Sequence, residues 1–347
     1  MAKKILVVDD SALMRRLACD IINSDERFHV EKIAHDGEEA LKFLEKEQFD
    51  GVVLDVNMPK LDGLGLLKEL NRRKIKAKVL MFSSLTDDGT KETLEALEHG
   101  AMDFIKKPEN IVRADDDFKT NFINVLCVVT GLSHTSRTHG ELKSVKTRGS
   151  SPIVGGEKLV AIASSTGGPK ALQQVIPFLP ANLNAPVLIV QHMPPVFTKS
   201  LAERLDAMSK IHVKEAEEGD IIQKGTVYLA AGGRHMKAGK IGGRMKIYYT
   251  DEPTREGVRP AANYMYESLI DSPYSEICCT VLTGMGADGT AGIKNLEKEK
   301  KIYVIAQDAP TSAVYGMPRA IAQTGLVNEI LPLDKIAGAI TKDVGVR

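Results

Sequence analysis

Five polar residues in the first 110 positions stand at the ends of short apolar runs. Asp9 and Asp10 follow Ile5-Leu6-Val7-Val8, Asp55 follows Gly51-Val52-Val53-Leu54, and Ser83 follows Val79-Leu80-Met81-Phe82. Lys107, with Pro108 behind it, comes just after Asp103-Phe104-Ile105. Apolar runs this short and uniform suit strands buried on both faces of a parallel sheet. In open α/β sheets ligands bind at the carboxyl ends of the strands. Three carboxylates at one rim repel one another unless a cation lies among them, and an all-oxygen ligand set with room for water suits Mg²⁺. A hydroxyl and an ammonium beside them suit a phosphoryl group. Capping of the following helix by Asp10 or Ser11 would account for one of these residues, not for all five.

The second half has polar residues of a different chemistry. Ser165 lies in Ala163-Ser164-Ser165-Thr166-Gly167-Gly168, between an apolar run and a helix beginning near Pro169. The two glycines permit a sharp turn and leave N–H groups free at a helix N-terminus, where they can stabilise an oxyanion. His192 follows Val187-Leu188-Ile189-Val190-Gln191, and Asp288 lies in the loop Gly284-Met285-Gly286-Ala287-Asp288-Gly289. A hydroxyl, an imidazole and a carboxylate on three strand ends are what nucleophilic acyl transfer needs: a weak nucleophile, a base, and a partner that fixes the tautomer of the base. Spacing alone does not choose them. The Ser-Thr-Gly-Gly turn is also compatible with phosphate binding, although it lacks a G-x-G-x-x-G order and a Walker lysine. His212, within Ile211-His212-Val213, reads as half-buried strand structure. His235, in a Gly-rich loop, is placed no closer than behind the site.

These residues need two scaffolds. At 347 residues the chain exceeds one ordinary core. Amphipathic stretches at 12–23, 37–47, 63–72 and 90–98 alternate with the apolar runs, giving a βαβα order and a doubly wound first domain over residues 1–130. Residues 131–156 are polar and Ser/Thr/Gly-rich, without apolar periodicity, and read as a linker in which His134 and His139 are solvated. The βα alternation resumes over 157–347, with a hairpin near 236–248 and a closing helix at 333–342.

Lys+Arg and Asp+Glu number 46 each, so the formal net charge is zero, which argues against nucleic acid as a partner. Cys19, Cys127, Cys278 and Cys279 match no zinc or redox spacing. No signal peptide and no run near the ~20 apolar residues of a membrane span is visible. A cytoplasmic protein without membrane insertion is the expectation.

The elements Val7-Val8-Asp9-Asp10-Ser11, Leu54-Asp55-Val56-Asn57-Met58-Pro59, Asp62-Gly63, Ser83 and Lys107-Pro108 resemble a two-component receiver domain, which is flavodoxin-like. The resemblance implies that Asp55 accepts a phosphoryl group from a chemotaxis histidine kinase. Asp10, Asp55 and the carbonyl of Asn57 would ligate Mg²⁺, with Asp9 acting through water. Lys107 would contact the phosphoryl oxygens across a cis Lys107-Pro108 peptide, Ser83 would hydrogen-bond the phosphoryl group, and Phe104 would be a switching aromatic without a hydroxyl.

Residues 157 to 345 resemble the catalytic domain of the chemotaxis protein-glutamate methylesterases, a parallel-sheet, Rossmann-like α/β domain. The resemblance rests on Ser165-Thr166-Gly167-Gly168-Pro169, Gln191-His192-Met193-Pro194-Pro195, Leu201-Ala202-Glu203-Arg204-Leu205, Leu282-Thr283-Gly284-Met285-Gly286, Asp288-Gly289 and Gly316-Met317-Pro318-Arg319-Ala320. It implies Ser165 as nucleophile, His192 as general base and acid, Asp288 as orienter, and the N–H groups of Thr166 and Met285 as oxyanion hole. No cofactor is implied for this domain. The implied substrates are methyl-accepting chemotaxis receptors, demethylated at glutamate γ-methyl esters and deamidated at glutamines. The first domain would block a bulky substrate until Asp55 is phosphorylated. Ser164 departs from the family's usual alanine and raises the question of which serine attacks. Gly257 and Asn263 replace polar or charged residues of the family.

Overall fold

The computed structural model describes residues 2–84, 87–108, 116–132 and 156–347. The greater part of the linker stretch, with His134 and His139, lies outside the described residues. The chain divides into two units, Met1–His139 and Gly140–Arg347, each with its own sheet.

The first unit has five parallel strands: β1 (Lys3–Val8), β2 (Phe28–Ala34), β3 (Gly51–Asp55), β4 (Val79–Ser83) and β5 (Asp103–Lys106). Their order is β2-β1-β3-β4-β5. Helices α1 (Ala12–Asn23) and α5 (Asp116–Thr130) pack together, and α2 (Gly37–Lys46), α3 (Gly63–Arg73) and α4 (Asp87–Glu98) form the other group. β3 and β4 are buried at every position, as their uniform apolar runs require. Strand β2 was not visible as an apolar run: it is an edge strand, alternating buried and exposed positions with His29 and Glu31 facing out. Ser11, Asp36 and Asp62 cap α1, α2 and α3, accepting from the N–H groups of Met14, Glu39 and Gly65. Each cap is worth about 1 kcal/mol. Capping of α1 thus belongs to Ser11, and Asp9 and Asp10 are left for other work.

The second unit holds seven parallel strands in the order β14-β13-β12-β6-β7-β9-β8. They are β6 (Lys158–Ser164), β7 (Val187–Gln191), β8 (His212–Glu215), β9 (Thr226–Leu229), β12 (Glu276–Val281), β13 (Lys301–Gln307) and β14 (Glu329–Leu331). β10 (His235–Ile241) and β11 (Arg244–Thr250) form the expected hairpin as a separate two-stranded sheet. Among the described residues six α-helices accompany them: α6 (Gly168–Val175), α7 (Phe197–Met208), α8 (Ala262–Ser268), α9 (Thr290–Glu299), α10 (Met317–Ala322) and α11 (Leu333–Val344). β6 is the first strand of this sheet in sequence and lies in its middle. The chain builds outward from it through β7 on one side and later through β12 on the other. The gap between β6 and β12 is the place where strand order reverses and a crevice opens at the carboxyl ends.

Lys107–Pro108 is not cis; among the described residues the cis peptide is Arg259–Pro260. An X-Pro bond prefers trans by about 0.5–1 kcal/mol, and Lys107 reaches its partners without leaving that preference. No helix among the described residues is long and apolar enough to cross a membrane.

Candidate active site

The turn after β6 is bolted on both sides. Ser165 N–H donates to the carbonyl of Thr283 at 3.0 Å, and the Ser165 carbonyl accepts from Gly168 N–H at 2.7 Å and from Gln191 Nε2 at 2.9 Å. Gly167 takes φ +74, which a side chain would resist, so the chain can turn here into α6. A Cβ on Gly284 would lie 2.8 Å from Ser165 Cβ and 2.3 Å from Met317 Sδ, so only glycine lets the loop after β12 approach the serine this closely. The two adjacent serines are not equivalent. Ser164 is fully buried and its hydroxyl donates to Gln191 Oε1 at 2.6 Å, whereas Ser165 keeps partial exposure and an uncommitted hydroxyl.

His192 is brought beside Ser165 by register. Ser164 pairs with Gln191 across β6 and β7, and His192 N–H donates to the Ser164 carbonyl at 3.0 Å. Ser165 and His192 are therefore the next residues along neighbouring parallel strands, whose spacing is about 4.8 Å. His192 Nε2 lies 2.7 Å from Asp288 Oδ2, with the imidazole about nine-tenths buried. No hydrogen bond is formed between Ser165 Oγ and His192; such contacts commonly close only when substrate is bound. With Nε2 engaged by Asp288, Nδ1 is the nitrogen left for the serine.

Asp288 is 2 % exposed and surrounded by donors. Ala262 N–H and Asn263 N–H, at the start of α8, donate to Oδ2 at 2.5 Å and Oδ1 at 3.0 Å, and Gly289 N–H to Oδ1 at 2.9 Å. Burial pushes its pKa up, but the His192 hydrogen bond and charge, with the two N–H groups of α8, outweigh burial and hold it below the usual carboxylate value. Thr166 N–H and Met285 N–H donate to no acceptor among the described residues, so both remain available to a ligand. Thr283 ties the two loops that carry them: its hydroxyl donates to the Thr166 carbonyl at 3.0 Å and accepts from Val314 N–H at 2.9 Å.

His212 and His235 stand apart from this cluster. His212 is exposed and pairs with Asp206 at 2.9 Å rather than lying half-buried mid-strand, because β8 is an edge strand. His235 is fully buried at the start of β10; its Nδ1 accepts from Ala261 N–H at 3.1 Å, and burial, with the Arg259 charge, lowers its pKa. Roles for Gln191, Thr283, Ala262 and Asn263 were not legible in spacing, since each acts through backbone groups distant in sequence.

In the first unit the carboxylates of Asp9, Asp10 and Asp55 bring oxygens within 4.8 Å of one another. Lys107 Nζ lies 2.8 Å from Asp9 Oδ2 and 2.8 Å from Asp55 Oδ2. Burial raises the pKa of both aspartates, and Asp55, further opposed by the Asp9 charge and partly relieved by Lys107, is pushed up to about 6. Three hard oxygen donors around one point, two buried and one exposed to water, fit a divalent cation such as Mg²⁺. Ser83 is fully buried, with its hydroxyl accepting from Thr93 Oγ1 at 2.7 Å and directed to backbone carbonyls of Ser84 and Gly89. Phe104 is half-buried on β5, opposite Met81, and Asn57 is exposed.

Residues 160–340 match the sequence model of the CheB methylesterase family, and residues 5–116 that of the response regulator receiver domain. The chain belongs to the CheB methylesterase family. It is 45% identical over 343 residues to a protein-glutamate methylesterase/protein-glutamine glutaminase of Syntrophomonas wolfei, covering 96% of this chain and 97% of that protein. The identity to the protein of the same name from Pyrococcus abyssi is 41%, covering 98% of this chain and 93% of the relative. The crystal structure of the Thermotoga maritima CheB methylesterase catalytic domain matches 54% of this chain and 98% of its own, at 40% identity and a TM-score of 0.51. This CheB-family chain thus joins a receiver domain, a class that usually binds Mg²⁺ for phosphorylation, to a methylesterase domain.

Proposed function

We propose that this chain is a phosphorylation-activated serine hydrolase that removes methyl groups from glutamate γ-methyl esters, and deamidates glutamines, on chemotaxis receptors. The observation that carries the reading is the buried His192–Asp288 pair at 2.7 Å, held on the strand next to Ser165. Ser165, not Ser164, is the nucleophile, since the Ser164 hydroxyl is spent on Gln191. Ser165 Oγ attacks the γ-carbonyl carbon while its proton passes to His192 Nδ1. The developing oxyanion is met by the N–H groups of Thr166 and Met285. Asp288 holds the ring and stabilises the imidazolium. The imidazolium returns the proton to the departing methoxide, releasing methanol; water, deprotonated by the same imidazole, then cleaves the acyl-serine to glutamate. With a glutamine side chain the leaving group is ammonia.

Residues 1–130 are the phosphoacceptor domain, 131–156 the linker and 157–347 the esterase. Asp55 takes a phosphoryl group from the chemotaxis histidine kinase in the cytoplasm. Asp10, Asp55 and the carbonyl of Asn57 would hold Mg²⁺, with Asp9 acting through water, and the cation when bound neutralises charge between carboxylates and phosphoryl oxygens. Lys107 then exchanges its Asp55 contact for the phosphoryl oxygens. Ser83 gives up Thr93 to hydrogen-bond the phosphoryl group, and Phe104 repacks behind it.

The test is methanol release from methylated receptors, with and without a small phosphodonor. Wild type should release methanol, and faster with the phosphodonor. Ser165→Ala should lose on the order of 10⁴- to 10⁶-fold in rate. Near-normal release by Ser165→Ala would end the serine-hydrolase reading.

A further inference from the structure

Asn263 is fully buried, and every polar atom of its side chain is engaged. Its Oδ1 accepts from Gly289 N–H at 3.1 Å and Gly292 N–H at 2.6 Å, and its Nδ2 donates to Glu256 Oε1 at 2.9 Å. Its own backbone N–H donates to Asp288 Oδ1 at 3.0 Å. One residue therefore grips the catalytic carboxylate directly, the residue that follows it in sequence, and the first turn of α9 beyond. Glu256 is exposed in a turn closed by Arg255 and Val258, and sits at φ +54, a conformation a glutamate enters only at some cost. That cost is offset where the turn delivers a carboxylate to the buried amide.

We infer that Asn263, braced from outside by Glu256, is a positioning residue that sets the placement of Asp288 and through it the imidazole of His192. The inference rests on the assignment of Ser165, His192 and Asp288 as nucleophile, base and orienter. The amide is needed because the two sides of the site demand opposite things. The glycine N–H groups need an acceptor and the Glu256 carboxylate needs a donor. An aspartate satisfies only the first and sets two carboxylates 2.9 Å apart, one of them buried.

The test uses the full chain and steady-state methanol release. Asn263→Asp should lower kcat by about 100-fold, as a small misplacement of a catalytic group does, with KM within about twofold of wild type. Adding Glu256→Gln to it restores the donor–acceptor match with the roles reversed, and kcat should return to within about tenfold of wild type. Glu256→Ala, an exposed change that keeps the fold, should lower kcat by about 3- to 10-fold at unchanged KM. Wild-type kcat in Asn263→Asp overturns the inference. So does failure of the double variant to recover while it remains folded. Should Asn263→Asp not fold, Glu256→Ala decides alone, with wild-type kcat overturning the inference. Ser165→Ala run alongside separates the two readings. If it stays active the hydrolase assignment has failed, whereas if it is dead while Asn263→Asp is normal only the positioning role has.

Discussion

Asp55 and Asp288 are the same residue type, nearly equally buried at 5 % and 2 % exposure, each at the carboxyl edge of a parallel sheet where strand order reverses. Their pKa values move in opposite directions. Asp288 is held down because three backbone N–H groups and an imidazole converge on it. Asp55 is pushed up to about 6 because burial and the Asp9 charge outweigh one backbone N–H and a lysine it must share. Burial alone does not decide the charge of a carboxylate; the supply of donors does. The difference matches the two tasks. In the proposed role of holding the His192 imidazole, Asp288 has to stay ionised through every turnover. Asp55 sits in a crowded, strained group of charges that a cation and a phosphoryl group can relieve.

The largest expected effect breaks the Asp288 side. Asp288→Asn keeps the shape but offers His192 an amide that can present a donor in place of the acceptor, and should lower kcat by about 10⁴-fold in methanol release. A loss of less than tenfold would mean that the donors around Asp288 serve folding rather than catalysis.

A third cluster sharpens the comparison. Lys158 Nζ lies 2.5 Å from Glu276 Oε1 and 2.9 Å from Asp343 Oδ1, all three side chains buried; Lys158 and Glu276 open β6 and β12, at the opposite end of the sheet from Ser165, and Asp343 comes from the last turn of α11. It resembles the Asp9–Asp55–Lys107 group in composition but has no open rim. Lys158→Met would strand two buried carboxylates and should destabilise the second unit by about 3–5 kcal/mol in denaturant unfolding, with kcat of the folded fraction unchanged. A parallel fall in kcat would tie this cluster to the active site.

The smallest effect concerns Asp55 itself. Its folded pKa of about 6 lies above the ordinary value of 3.8, so the folded state binds the proton more readily than the unfolded one. The resulting cost is absent below about pH 4 and fully present above about pH 6, up to about 3 kcal/mol before relaxation. Asp55→Asn should therefore raise the thermal midpoint of the receiver transition at pH 7.5, and the gap over wild type should shrink as the pH falls toward 4. A pH-independent gap would show that repulsion is not its source.

Much of this was legible in the residues. Runs such as Val52-Val53-Leu54 and Ala161-Ile162-Ala163 announced buried parallel strands, and the polar residues at their ends marked both sites, because in such sheets the chemistry gathers at strand ends. Strand β2 and the short strands β9 and β14 were missed, β2 because an edge strand with a solvated face carries His29 and Glu31 where a central one carries valine; β8 was read as strand, but its edge position exposes His212. The Thr283 clamp and the Asn263–Glu256 brace were beyond reach for another reason. Thr283 and the Asn263 Oδ1 bond backbone groups 26 or more residues away, and the Asn263–Glu256 bond joins two side chains across a turn, so no local period encodes them. The trans Lys107–Pro108 peptide corrects an expectation carried over from resemblance.

The placement of β6 between β7 and β12 has a consequence for how the enzyme comes into being. The serine is made some 120 residues before its aspartate, and the strand that completes the oxyanion side is among the later ones synthesised. At about 5–20 residues per second a ribosome needs roughly 6–25 s to cross that interval. Throughout it the nascent chain already carries its phosphoacceptor domain but no hydrolytic centre. Premature hydrolysis by a half-made polypeptide, beyond the control of its own regulator, is therefore ruled out by the order of synthesis.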